Sequence, residues 1–221
     1  MVIKSVLSVL KEGLIVSTRF SKSSTWHQNI IYKVKNNLVY TALTESYLEN
    51  IIMLGSNMVI KYSNEYFEYI YEGVVSDIST ESPAHIVLQI NKSEEVINTR
   101  AFPRYDIYLA ANIRPLEDPC PYFSIATNIS LSGMAFAARY EFDYSEENGF
   151  NLLLPSQQKI CAKGKIIRKS AKKDYFDYSM QFTDMDDANS TMLLSYLKRL
   201  EEKANILRSN YEKSIKNKFL I

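Results

Sequence analysis

Two short clusters concentrate the residue types that recognise anions and bases. Arg100 and Arg104 bracket Ala101, Phe102 and Pro103 in an RxxxR pattern, and Asn128, Ser130 and Gly133 form an NxSxxG pattern 24 positions further on. A guanidinium can grip phosphate through two parallel hydrogen bonds, pair with the O6/N7 edge of guanine, or stack on a base plane. Pro103 stiffens the stretch between the arginines and biases Phe102 toward extended backbone. Two arginines on one short, stiff segment could therefore clamp a ligand that carries both phosphate and guanine. Along residues 125–131 strict alternation turns Ile125, Thr127, Ile129 and Leu131 inward and puts Asn128, Ser130 and Ser132 on the outer face. Gly133, without a Cβ, allows positive φ or close approach by a ligand. An amide and a hydroxyl side by side next to accessible backbone suit the edge of a purine. The plainer readings are a pair of solvated interdomain arginines and a strand that ends in a Ser-Gly turn. Both patterns in this order and at a sensible separation are expected on the order of 0.003 times in a shuffled chain. Residues 77–82 show how much each position matters: Asp77 and Ser79 begin the second pattern, but Ser82 stands where glycine is needed.

These residues need a scaffold, and the 221-residue chain has the material for one. Hydrophobic residues make up 46% and charged residues 23%, which are globular values and argue against disorder. The net charge of +1 excludes a broad basic footprint for duplex nucleic acid, though not a local anion site. No segment reaches the ~18 apolar residues of a membrane span. The opening residues 1–11, interrupted by Lys4 and without a small-residue cleavage site, do not read as a signal peptide. Two cysteines, Cys120 and Cys161, make no disulfide framework, and two distant histidines, His27 and His85, offer no zinc-ligand spacing. The default is a cytoplasmic protein.

Sixteen tyrosines against six glycines and six prolines lean the chain toward β-structure. Alternating runs predict strands over 13–20, 28–35, 38–44, 57–62, 66–76 and 85–90, a spacing that suggests a small barrel. The polar stretch 91–99 is the best domain boundary. Six more strands follow over 105–112, 121–131, 134–140, 151–154, 159–169 and 175–182. From Asp187 to about Lys218 there is no glycine or proline, and Leu193, Leu197, Leu200, Ala204, Leu207 and Tyr211 step at helical spacing. That seam is either one helix covering an open barrel end or a dimerising coiled coil. Asp186 or Asp187 fits a helix N-cap better than a catalytic carboxylate. No catalytic triad, P-loop or GxGxxG is arranged, so the chemistry is recognition without reaction.

Together the motifs resemble the PilZ domain, a receptor for cyclic di-GMP. The resemblance covers about residues 98–205 and includes the RxxxR, the NxSxxG, the strand opening at Gly149, the strand holding Lys165 and Arg168, and a closing helix. Residues 1–95 resemble, more weakly, the amino-terminal barrel of the YcgR-like flagellar-brake family. The resemblance implies a mainly β protein of two six-stranded antiparallel barrels in tandem, domains 1–95 and 96–221, with a carboxy-terminal helix over about 187–218. It also implies that Arg100 and Arg104 hold phosphates and guanine while Asn128, Ser130 and Gly133 line the guanine pocket. Further contacts are expected from Thr99, Ala101, Phe102, Arg139 and Arg168. Family members often carry Asp at the position of Asn128, and Asp is the stronger acceptor for the guanine N1–H/N2–H₂ edge. Thr99, where the family often has a long or charged residue, favours one ligand molecule per site over an intercalated pair. No metal or cofactor is implied. The expected working cycle has a mobile RxxxR segment that ligand orders, reorienting the barrels to control a protein partner. The first candidates are the flagellar motor or its switch at the basal body, and then an exopolysaccharide synthase. DNA, RNA and membrane insertion are not expected, and the chain is a monomer or a dimer through its helix. A PilZ module that has lost its ligand and a flavin enzyme on the first barrel are the competing classes.

Overall fold

A computed structural model describes residues 7–218 apart from 24, 119, 145 and 146; the opening stretch therefore lies partly outside the described residues. The chain divides into two compact units, cut between Arg100 and Ala101 and again between Glu201 and Glu202.

The first unit holds β1 (Ile15–Phe20), β2 (His27–Lys35), β3 (Leu38–Ala42), a short helix α1 (Glu45–Glu49), β4 (Asn57–Ser63), β5 (Phe67–Ser79) and β6 (His85–Ile97). Its strands close into a barrel in the order β1-β2-β3-β6-β5-β4. Alternation supplies the inner face, with Val16, Ile31, Val39, Ile60, Tyr71, Ile86 and Leu88 in the core. Sequence reading gave α1 no place, because five residues are too few for helical periodicity. Its Tyr47 is fully buried, and the phenol bonds to Thr18 and accepts from Asn29 Nδ2 at 2.7 Å. Burial pushes the Tyr47 phenol up to about 12, so it works as a neutral hydrogen-bonding plug.

The polar stretch 91–99, expected as the domain boundary, is strand as far as Ile97. It extends β6 along β5 from the Glu72–Lys92 pair to Phe67–Ile97. Most of the side chains here are exposed, so polar residues fit, and Lys92 pairs with Glu72 at 3.7 Å and Glu94 at 2.7 Å.

The second unit holds β7 (Tyr105–Pro115), β8 (Tyr122–Ser130), β9 (Gly133–Ala138), β10 (Glu147–Leu153), β11 (Lys159–Ala171) and β12 (Phe176–Asp184). It is again a closed barrel, in the order β7-β8-β9-β12-β11-β10. Its core stacks Phe136 on Tyr178 at 4.9 Å, with Phe142 edge-on to Tyr178 at 5.4 Å. The helix α2 (Asp187–Asn210) follows. Asp186 caps it by accepting the Asn189 N–H at 2.7 Å, and that bond holds the carboxyl below its ordinary value. Leu193 and Leu197 are buried in this barrel's core, as expected of a helix that covers a barrel end.

The end of the seam goes elsewhere. Residues from Glu202 onward group with the first unit, not with the second barrel as the sequence boundary at 96–221 had it. A π-helical turn, Tyr211–Ile215, leaves Tyr211 buried and stacked on Tyr32 at 5.9 Å, its hydroxyl donating to the Tyr32 carbonyl at 3.1 Å. Gly13, at φ +77°, makes room: a Cβ there would meet the Tyr211 ring at 3.1 Å.

Candidate ligand site on the second barrel

Strand register brings the second arginine to the second motif. Tyr105 opens β7 opposite Ile129 of β8, and Asp106 pairs with Asn128. Arg104, one residue earlier, is thereby level with Ser130 at one end of the strand pair, and its residue is exposed.

Within β8 the expected alternation does not hold. A bulge opposite β9, between Ala126 and Asn128, inserts an extra residue. Ala126 and Ile129 both face the core in consequence, and Ile125 and Thr127 are only half-buried. Ser130, expected outside, is buried; its hydroxyl donates to the Gly133 carbonyl at 3.2 Å and accepts from the Ser132 N–H at 3.4 Å. Leu131, expected inside, is exposed. Ser130 thus fastens the hairpin on which the motif turns.

The glycine also has a different reason from the expected one. Gly133 is not among the positive-φ residues. A Cβ on it would lie 2.3 Å from the Met180 carbonyl oxygen, so what approaches it is the neighbouring strand β12.

Asn128 has the feature a ligand would use. Its Oδ1 is buried and has no hydrogen-bond partner. A buried acceptor left unpaired costs about 1–3 kcal/mol, so such atoms are rare and call for an explanation. The same register line crosses four strands: Asn128 pairs with Ala135, Ala135 with Ser179, and Ser179 with Arg168. Met134, Phe136, Tyr178 and Met180 point into the core, so Ala135 and Ser179 between them point out. The result is a floor of two small side chains about 14 Å across, with an orphan acceptor at one end and an exposed guanidinium at the other. A second bulge, between Ile166 and Arg168, sets Arg168 outward. Sequence reading named Arg168 but missed Ala135 and Ser179, which only register can reveal.

The other expected contacts are placed differently. Arg139 follows the far end of β9, about 20 Å along the strand from Gly133, and is not brought to the motif. Thr99, Ala101 and Phe102 are exposed. Arg100 belongs to the first unit, where its guanidinium donates to Glu68 at 2.7 Å. The backbone around it is tied down as well. Asn98 N–H donates to the Tyr66 carbonyl at 2.7 Å, Asn98 Nδ2 to the Asn64 carbonyl at 2.7 Å, and Arg100 N–H to Asn98 Oδ1 at 3.3 Å. Burial alone would raise the Glu68 carboxyl, but Arg100, with Lys61 and Ser63, holds it below its ordinary value.

A separate cleft of about 430 Å³ lies over β7, β10 and β11, lined by Arg114, Gly149, Asn151, Cys161 and Lys163 among others; none of the motif residues lines it. No group of His, Cys, Asp or Glu suited to a metal ion occurs among the described residues. No described helix is long and apolar enough to cross a membrane.

Residues 98–199 match the PilZ domain family, a stretch that takes in both motifs, the whole second barrel and the start of α2. The chain carries a PilZ domain. No curated protein matches it in sequence. Among solved structures it is similar to the Bacillus subtilis inhibitor of motility MotI/DgrA, at 15% identity and TM-score 0.44, covering 88% of this chain and 99% of that one. It is also similar to Escherichia coli YcgR in complex with c-di-GMP, at 10% identity and TM-score 0.47, covering 92% and 89%. A third is the K. pneumonia MrkH–c-di-GMP complex, at 11% identity and TM-score 0.46, covering 91% and 94%.

Proposed function

We propose that the chain is a cyclic di-GMP receptor and that ligand binding, not catalysis, is its chemistry. The observation that carries the reading is the unpaired Asn128 Oδ1 on the same register line as Arg168, with Arg104 at the adjoining strand end. Guanine N1–H and N2–H₂ are the donors that acceptor lacks, the Ala135–Ser179 floor takes the base plane, and the arginines take the phosphates. Arg100 completes the clamp. It stands four positions before Arg104, a span of at most about 14 Å. Because the chain passes from one unit to the other between Arg100 and Ala101, a ligand that recruits Arg100 acts on one of the two segments that join them. A change at that joint is the means of controlling a protein partner, for which the flagellar motor is the leading assignment, with the protein in the cytoplasm. YcgR with its ligand and an inhibitor of motility among the similar structures are in keeping with that output. MrkH is described as a c-di-GMP-dependent transcription regulatory factor, so DNA belongs among the partners assayed, although the net charge of +1 speaks against it.

Titration calorimetry of the full chain with cyclic di-GMP tests the reading. Micromolar or tighter binding is expected, weakened at least about 100-fold in Arg104→Ala, since removing one side of a hydrogen-bonded charge pair costs several kcal/mol. Absence of binding by well-folded protein would overturn it.

A further inference from the structure

Arg100 is already engaged. Its partner, Glu68, is a carboxylate that offers a guanidinium the same charged oxygens a phosphodiester does. Glu68 lies in β5, and its side chain is only 19% exposed. A hydroxyl, Ser63 Oγ, donates to the same Glu68 oxygen at 3.2 Å. The hydrogen bonds from the Asn98 backbone and side-chain amides to the turn between β4 and β5 bring Arg100 to this carboxylate. The amino-terminal half of the segment that the sequence reading expects to be mobile is thus hydrogen-bonded to the first unit.

We propose that Glu68 is a built-in competitor for the ligand: it occupies the Arg100 guanidinium in the free protein, and a ligand phosphate must displace it. The inference rests on the receptor reading above and adds its regulation. Two consequences follow from the geometry. Only the fraction of molecules with Arg100 released is fully competent, so the apparent affinity is lowered by that fraction. Displacement also frees the residue at which the chain first leaves the first unit, so ligand entry and loosening of that crossing are one exchange of anions on one arginine.

Glu68→Gln keeps the shape and removes the charge, which makes it the test, read in two ways. In the first, tryptic cleavage after Arg100 is followed without ligand in the full chain. An arginine held by Glu68 cannot enter the protease's specificity pocket, so Glu68→Gln should speed cleavage at that bond about 3- to 10-fold, while cleavage after Lys92 stays within twofold. In the second, calorimetry with cyclic di-GMP should show Glu68→Gln binding about 3- to 10-fold more tightly than the unaltered chain, the range set by a partly exposed ion pair. That gain should vanish when Arg100→Ala is the background. Faster cleavage with no ligand binding by either protein would overturn the receptor reading and the competitor with it, leaving a purely structural ion pair. Equal or weaker binding by Glu68→Gln, with the unaltered chain binding well, would overturn the competitor alone. Unchanged cleavage would do the same.

Discussion

The two barrels are built on one plan and differ along the line of the proposed ligand site. Each joins its six strands in the same circular order: first, second, third, sixth, fifth, fourth. In each, a two-residue hairpin links the second and third strands, closed by Lys35–Leu38 in one and Ser130–Gly133 in the other. Each second strand has a bulge at the same distance from that hairpin, which makes Lys33–Tyr40 the counterpart of Asn128–Ala135. Following register across the next two strands, the line Lys33–Tyr40–Val87–Asp77 corresponds to Asn128–Ala135–Ser179–Arg168. The first barrel therefore has a tyrosine where the second has an alanine, and a carboxylate where the second has a guanidinium. Its Tyr40 is packed against the Ile30–Tyr32–Tyr211 cluster, so the chain's own tail closes that face. The bulges belong to the scaffold; what distinguishes the proposed site is small side chains on the floor and the sign of the charge at its end.

Grafting one barrel's chemistry onto the other tests this most severely. Ala135→Tyr, which installs the first barrel's residue on the second barrel's outer face, should abolish cyclic di-GMP binding in calorimetry while shifting the melting temperature little. Retained binding would move the site off this floor. A smaller effect concerns Asn128, whose cross-strand neighbour is Asp106. Asp at position 128 would set two carboxylates opposite each other, a repulsion that the amide avoids. Asn128→Asp should cost about 1 kcal/mol in denaturant unfolding. Adding Asp106→Asn should restore that stability and reveal the tighter binding a carboxylate gives. If the double variant stays as unstable as the single one, the register pair is not the reason. The smallest effect is electrostatic and lies on the first barrel. Because the folded Glu68 carboxyl is held below its ordinary value, its contribution to stability is complete above the ordinary glutamate pKa. It is lost only as pH falls through the lowered value. A carbon-detected NMR titration should give a Glu68 midpoint below the ordinary one, returning upward in Arg100→Ala. A midpoint that ignores Arg100 would remove the ion pair from the account.

Much of this was legible in the residues, and the exceptions are physical. All twelve strands among the described residues announce themselves, because alternation and turn residues such as Asn36, held here at φ 55°, are local signals. The two motifs are local as well, and so is the Asp186 cap. What escaped needs either register or long range. One extra residue in β8 reverses which side chains face out, and nothing in the order Ile-Ala-Thr-Asn-Ile marks it. Ala135 and Ser179 enter the proposed floor through neighbours on other strands. Glu68 is 32 positions from the arginine it holds. Tyr211 shows that a helical seam can be read correctly as apolar while the surface it covers stays unspecified.

The most direct test of the central claim, that the second barrel's floor and hairpin are the ligand site and the first barrel's equivalents are not, is backbone and side-chain NMR shift mapping during titration with cyclic di-GMP. The account predicts the largest changes at Arg104, the Asn128 side-chain amide, residues 130–135, Arg168 and Ser179, with Lys33, residues 35–40 and Asp77 undisturbed. Changes centred on the first barrel's line, or on the cleft at Arg114, Gly149 and Lys163, would contradict it.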